Sequence, residues 1–146
     1  MHDIIVLREV DITEAVTINK TIPEFDPYSQ EYFAERLKNT DNLVIAAYVC
    51  GNLAGYLIGY DRFHDGSFYC WMTGVNPAFR RKGVLTALMD YQEEWAGKRG
   101  YTKIKIKTRN TLRAMLAFLV KYGFNFTEVV QYPDIRENRI LLEKDL

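Results

Sequence analysis

Between residues 43 and 75 three apolar runs follow one another with only turn residues between them, and nothing else in the chain restricts the fold as much. Residues 43–50 read as a buried strand, Gly51-Asn52 as a two-residue turn, and residues 53–61 as the return strand. A looser turn at His64-Asp65-Gly66 leads into residues 68–75. Three such runs make an antiparallel meander, and its apolar faces must be covered by other parts of the chain. The cover is written on both sides of it. Asp11, with Glu14 three positions on, is placed to open a helix bearing Ile12, Ala15, Val16 and Ile22 and stopped by Pro23. Asp26-Pro27 is expected to open a second helix, with Tyr32, Phe33 and Leu37 at helical spacing. Val84, Leu85, Leu88, Tyr91 and Trp95 form the stripe of a longer helix that Gly100 ends. Asn110 is expected to cap a last helix, with Met115, Leu116, Leu119 and Tyr122 facing inward and Gly123 closing it.

Residues 4–10 supply a first strand, residues 103–107 alternate strictly as Lys-Ile-Lys-Ile-Lys, and residues 124–131 and 139–142 give two more strands. The order β-α-α-β-β-β-α-β-α-β-β predicts an α/β fold: a mixed, mainly antiparallel sheet flanked by helices, in one domain over residues 1–146. With 19 basic and 19 acidic residues the formal net charge is zero, which argues against nucleic acid as the main partner. Cys50 and Cys70 each fall in a strand-like apolar run, and no CxxC or His/Cys cluster suggests a metal. The first residues lack the basic leader and cleavage site of a signal peptide, and no apolar run is long enough to span a bilayer. The expectation is a cytoplasmic protein without a membrane partner. A homodimer through the terminal strands is one arrangement open to it.

Chemistry concentrates at Val75-Asn76-Pro77-Ala78-Phe79-Arg80-Arg81-Lys82-Gly83, where a strand ends, three cations and a glycine make a turn, and a helix begins at Val84. A helix start presents unpaired N–H groups and the positive end of the macrodipole. Gly83 has no side chain to keep a ligand from that backbone. A solvated turn would carry the same cations, but their place between a strand and an amphipathic helix points to an anion site suited to pyrophosphate.

This segment resembles motif A of the GNAT superfamily of N-acetyltransferases: Val75-x-Pro77 precedes Arg80-x-x-Gly83-x-Leu85, with Leu85 where a small residue is usual. The resemblance covers most of the chain. Residues 43–61, with Gly51-Asn52 and Gly59, look like the family's second and third strands, and residues 110–124 are similar to its motif B. It implies acetyl-CoA as co-substrate and a small-molecule or protein amine as acceptor. It also implies a sheet that splays beside the fourth strand, with Thr73, Gly74 and Val75 holding pantetheine. Arg80, Arg81, Lys82, Gly83, Val84, Leu85 and Thr86 would receive the pyrophosphate, and Asn110 would lie beside the pantetheine arm.

An attacking amine must first be neutral, against a pKa of about 10.4 for a lysine-like amine in water. A backbone N–H of the splayed strand would then stabilise the oxyanion, and the leaving thiolate would take a proton. In the family that proton often comes from a tyrosine four residues before Gly-Phe; Leu119 stands there, and Tyr122 is the nearest substitute, although an aromatic closing a helix has a packing role as well. Residues 68–73 hold no carboxylate to act as base, and Glu31, Asp61, His64 and Asp65 read as solvated surface. Cys70, without a nearby His, reads as inert. Tyr28, Tyr32, Phe33, Tyr69 and Trp71 would suit either a core or an acceptor pocket, and the three lysines of the alternating strand read as a solvated face. A domain that binds acyl-CoA without catalysis is the alternative function.

Overall fold

The computed structural model describes residues 4–26 and 28–146. The expected order of elements is found, with β1 at Ile5–Glu9, α1 at Ile12–Asn19, α2 at Gln30–Leu37, β2 at Asn42–Val49, β3 at Asn52–Tyr60 and β4 at Ser67–Val75. There follow α3 at Val84–Lys98, β5 at Lys103–Arg109, α4 at Arg113–Tyr122, β6 at Asn125–Val130 and β7 at Arg139–Asp145. The seven strands form one sheet in the order β1-β2-β3-β4-β5-β7-β6, antiparallel everywhere except between β4 and β5. Among the described residues no helix is long and apolar enough to cross a membrane.

Strand alternation sends neighbouring side chains into two cores. Leu57 on β3 joins Phe68, Leu88, Met89, Ile104 and Leu119 on the face covered by α3 and α4, whereas Tyr56 and Ile58 join Ile18, Phe33 and Leu37 of α1 and α2 on the other. Two glycines of β3 let α3 lie close: a methyl at Gly55 would come within 3.4 Å of Val84 and Leu88, and one at Gly59 would strike Phe68.

Several local signals act elsewhere than their spacing predicts. Asp11 does cap α1, accepting from the Thr13 N–H at 2.9 Å, while Glu14 bonds the Tyr48 hydroxyl instead of closing a capping box. The second helix starts at Gln30 under a Ser29 cap, so Asp26 does not open it; Pro27 lies outside the described residues. The β2–β3 loop is Cys50-Gly51, with Val49 paired to Asn52 and φ of +48° and +85°, the two left-handed residues of a type I′ hairpin turn. Cys50 is therefore an exposed turn residue, not a strand residue. Asn110 does not cap α4: Leu112 occupies that position, and no side chain caps it. Asn110 instead joins the end of β5 to the β6–β7 connection, its Nδ2 donating to the Ile135 carbonyl and its N–H to that of Asn138.

Candidate active site

The parallel pairing of β4 and β5 covers only Ser67–Cys70 against Lys103–Ile106. Beyond it β4 stays with β3 as far as Val75, and β5 stays with β7 as far as Arg109. The sheet thus opens into a wedge, and residues 71–75 have no strand partner on the β5 side. A bulge coincides with the split: Cys70 pairs with Gly59 and Met72 with Ile58, which leaves Trp71 as the extra residue. Bulges sharpen local twist and interrupt pairing, so this one supplies a physical cause for the divergence.

A cleft of about 320 Å³ occupies the wedge. Its walls come from Trp71–Thr73 of β4, Ile106–Arg109 of β5, and Leu112 and Met115 near the start of α4. Phe25, Tyr28 and Tyr32 close it from the α1–α2 side. Of the aromatics that suited either role, Phe33 is wholly buried, while Tyr28, Tyr32, Tyr69 and Trp71 line the cleft. Gly74 lies under this roof, and a methyl there would meet Phe25 at 2.6 Å and Ile22 at 2.7 Å. Thr73 is turned into the sheet, donating its hydroxyl to the Tyr56 carbonyl at 3.0 Å.

At the far end of β4 the chain makes a short 3-10 turn, Pro77–Phe79, and then the basic loop. Arg81 and Gly83 both have left-handed backbones, φ +63° and +85°. Alternating left-handed residues curl successive N–H groups into a concavity that suits anions. The left-handed region disfavours residues with a Cβ, so Gly83 suits its position in a way Arg81 does not, and such strain is typical of binding loops. Gly83 is also the N-cap of α3, and no side chain caps that helix. Its first N–H groups therefore suit the phosphates of a nucleotide cofactor. Leu85, the departure in motif A, is half-buried and packs against the main core.

Arg80 is engaged more than its motif position suggested. Its Nε donates to the Val75 carbonyl at 3.1 Å, and its two terminal nitrogens grip the Glu24 carboxylate at 2.8 Å each. This fork ties the end of β4 to the loop that roofs the cleft, and the Arg80 hydrogen bonds hold the Glu24 carboxyl below its ordinary range.

Tyr122 is corrected. Its hydroxyl donates to Asp90 on α3, its ring stacks on Phe118 and Phe124, and it is not among the residues lining the cleft. Burial first, then the Asp90 and Glu93 carboxylates, push its pKa upward, which makes it a poor proton donor as well as a remote one. Leu119, at the family's tyrosine position, is fully buried in the core.

Cys70 is buried, and desolvation pushes its thiol up to about 12, so it stays protonated and unreactive. Iodoacetamide should therefore label the folded chain once, at exposed Cys50, with Cys70 labelled only after denaturation; mass spectrometry of the two digests checks this. Rapid labelling of Cys70 in the native protein would instead show an accessible, reactive thiol at the cleft.

The acetyltransferase (GNAT) family model matches residues 10–124. The chain belongs to this family. Its co-substrate is accordingly acetyl-CoA, and the uncapped α3 with its left-handed loop and the unpaired edge of β4 fit that molecule. Solved structures agree on the fold. The ribosomal-protein-S18-alanine N-acetyltransferase of Escherichia coli is 21% identical, with a TM-score of 0.81 over 97% of this chain and 94% of that one. Salmonella typhimurium yncA, a putative acetyltransferase solved with acetyl-CoA, is 15% identical, with a TM-score of 0.75 over 97% and 93%. Arabidopsis thaliana Naa50, solved with the bisubstrate analogue CoA-Ac-MVNAL, is 18% identical, with a TM-score of 0.78 over 97% and 99%.

Three features of this GNAT chain have no local signal in its sequence. The Trp71 bulge leaves no mark in a one-residue difference of register. The salt bridge between Glu24 and Arg80 joins residues 56 positions apart. Lys107 is a third departure: Lys103 and Lys105 pair with Glu143 and Asp65 as surface lysines do, but Lys107 lines the cleft.

Proposed function

We propose that this GNAT protein transfers the acetyl group of acetyl-CoA to a primary amine by direct attack within a ternary complex. One observation carries the reading: the strand edge left unpartnered at residues 71–75 runs from the aromatic cleft to the uncapped start of α3. Along it Thr73, Gly74 and Val75 offer backbone to the pantetheine arm, with Asn110 across the wedge at the end of β5. The N–H groups of residues 80–86 and the charges of Arg81 and Lys82 take the pyrophosphate. Arg80 serves chiefly as a strap, since its guanidinium is already held by Glu24 and Val75. The amine enters under Tyr28 and Tyr32 and meets the thioester beside the Trp71 bulge, where backbone N–H groups face the reacting carbonyl. The acceptor is a small molecule or a protein amine, and we place the protein in the cytoplasm on its two free thiols.

The second reading, a CoA-binding domain without chemistry, is favoured by Leu119, which supplies no proton donor, and by the two carboxylates that line the cleft, Glu24 and Asp26, each of which is held by an arginine. Calorimetry with acetyl-CoA and a thiol-release assay over a panel of amines separate the two. Saturable binding with amine-dependent CoA release is the expected result; binding without release for every amine would leave only the binding domain.

A further inference from the structure

The acceptor end of the cleft is strongly basic although the chain carries no net charge. Five cations line the cleft, Arg36, Arg62, Lys107, Arg109 and Arg139, against two carboxylates, Glu24 and Asp26. Both carboxylates are engaged, Glu24 with Arg80 at 2.8 Å and Asp26 with Arg109 at 3.9 Å. Among the described residues no ion pair involves Arg36, Arg62 or Lys107. The Arg36 guanidinium lies 5.4 Å from the Trp71 ring centre, and that of Arg62 lies 4.9 Å from the Tyr69 ring centre. Arg139 sits 5.0 Å from the Tyr132 ring centre, with Glu137 at 3.7 Å. Aromatic faces fix a guanidinium in place without cancelling its charge. Outside the cleft the sheet's cations do find acids, as Lys103 does with Glu143 and Lys105 with Asp65.

These charges act on one another. Desolvation first, and then the fields of Arg62, Arg139 and Arg36, lower the pKa of Lys107. A lysine placed in this way among guanidinium groups is stabilised by an anion beside it. A free ammonium would be repelled from these cations.

The geometry points to an acceptor that is itself anionic: a primary amine bearing a carboxylate or phosphate, its anion received by Arg36, Arg62, Lys107 and Arg139. This rests on the acetyltransferase reading and names the substrate class for the same site. It also accounts for the lack of a carboxylate base. The field that attracts the anion disfavours the ammonium form of the amine, so the nucleophile is delivered neutral, its proton passing to water.

The test compares matched amines that keep the nucleophile and lose the charge: β-alanine against β-alaninamide, phosphoethanolamine against ethanolamine, and a pentapeptide beginning with Asp against one beginning with Asn. CoA release is measured at low ionic strength after calorimetry has established acetyl-CoA binding. At least one anionic member should exceed its neutral partner in kcat/KM by about tenfold or more, the scale of a charged hydrogen bond. The ratio should shrink in about 0.5 M salt, where screening is nearly complete beyond a few ångströms. Arg62→Gln and Lys107→Gln should each collapse the ratio. Equal turnover of both members of every pair, or preference for the neutral ones, overturns the anionic acceptor and leaves the acetyltransferase reading intact. If acetyl-CoA does not bind, that reading fails first, and the anion site is judged by NMR with succinate as probe. Shifts at Arg62 and Lys107 would uphold the anion site; an unchanged spectrum there would end it.

Discussion

Gly83→Glu is expected to remove acetyl-CoA binding while leaving the chain folded. The left-handed φ of +85° penalises any Cβ by about 1–2 kcal/mol. A Cβ there has room, since its nearest neighbour would be Ile5 Cδ1 at 3.9 Å. A carboxylate next to the uncapped start of α3 recovers about 0.3–1 kcal/mol from the helix dipole, so the net loss of stability is small. Binding responds differently. One unit of like charge about 4 Å away, at an effective dielectric of about 20, costs about 4 kcal/mol, nearly a thousandfold in affinity. Gly83→Ala carries the backbone strain without the charge and should lose far less. Calorimetric titration of both variants, with circular dichroism as the check on folding, decides the matter. Near wild-type affinity in a folded Gly83→Glu would mean that the pyrophosphate lies elsewhere.

Gly59→Ala should produce the largest loss of stability from a single added carbon. The new methyl would stand 2.4 Å from Phe68 Cε2 and 2.8 Å from Gln92 Oε1. Both residues are fully buried between the sheet and α3, so neither can turn toward solvent. Overpacking of this kind costs about 1–3 kcal/mol, which for a chain of this length corresponds to a Tm lower by about 3–10 °C. Phe68→Leu should relieve part of that cost, so the double variant should be more stable than the sum of the single effects allows. Thermal unfolding of the three variants measures it. Strict additivity would show that the β3–α3 contact yields more readily than its packing suggests.

The two substitutions act on features of different legibility. Gly83 stood out in the sequence because its role is local: a strand end, a basic turn and a helix start follow one another within a few residues. Gly59 entered only as part of the likeness of residues 43–61 to the family's second and third strands, and the packing of Phe68 and of Gln92 on α3 against it gives the physical reason for a glycine there. The same division separates Asp11 from Asn110. Asp11 caps the helix that begins beside it, as its spacing predicts. Asn110 is drawn away from its helix by the carbonyls of Ile135 and Asn138, 25 and 28 positions on.

The cleft follows that pattern. Arg36, Lys107 and Arg139 come from α2, β5 and β7 and Arg62 from the β3–β4 connection, and nothing in their spacing announces that they meet. Tyr122 shows the opposite error, since its place before Gly123-Phe124 suggested chemistry, while Asp90 on α3 holds its hydroxyl.

The sequence by itself determined the order of elements, the two faces of the sheet, the basic turn before α3 and the family, because each depends on residues adjacent in the chain or on periodic patterns of two and 3.6. Only the tertiary structure decided where β4 leaves β5, which aromatics line the cleft, how Glu24 restrains Arg80, and that Arg36, Arg62 and Lys107 gather in the cleft. Those outcomes depend on distances between segments remote in sequence, and such distances are fixed by packing the helices onto a twisted, bulged sheet.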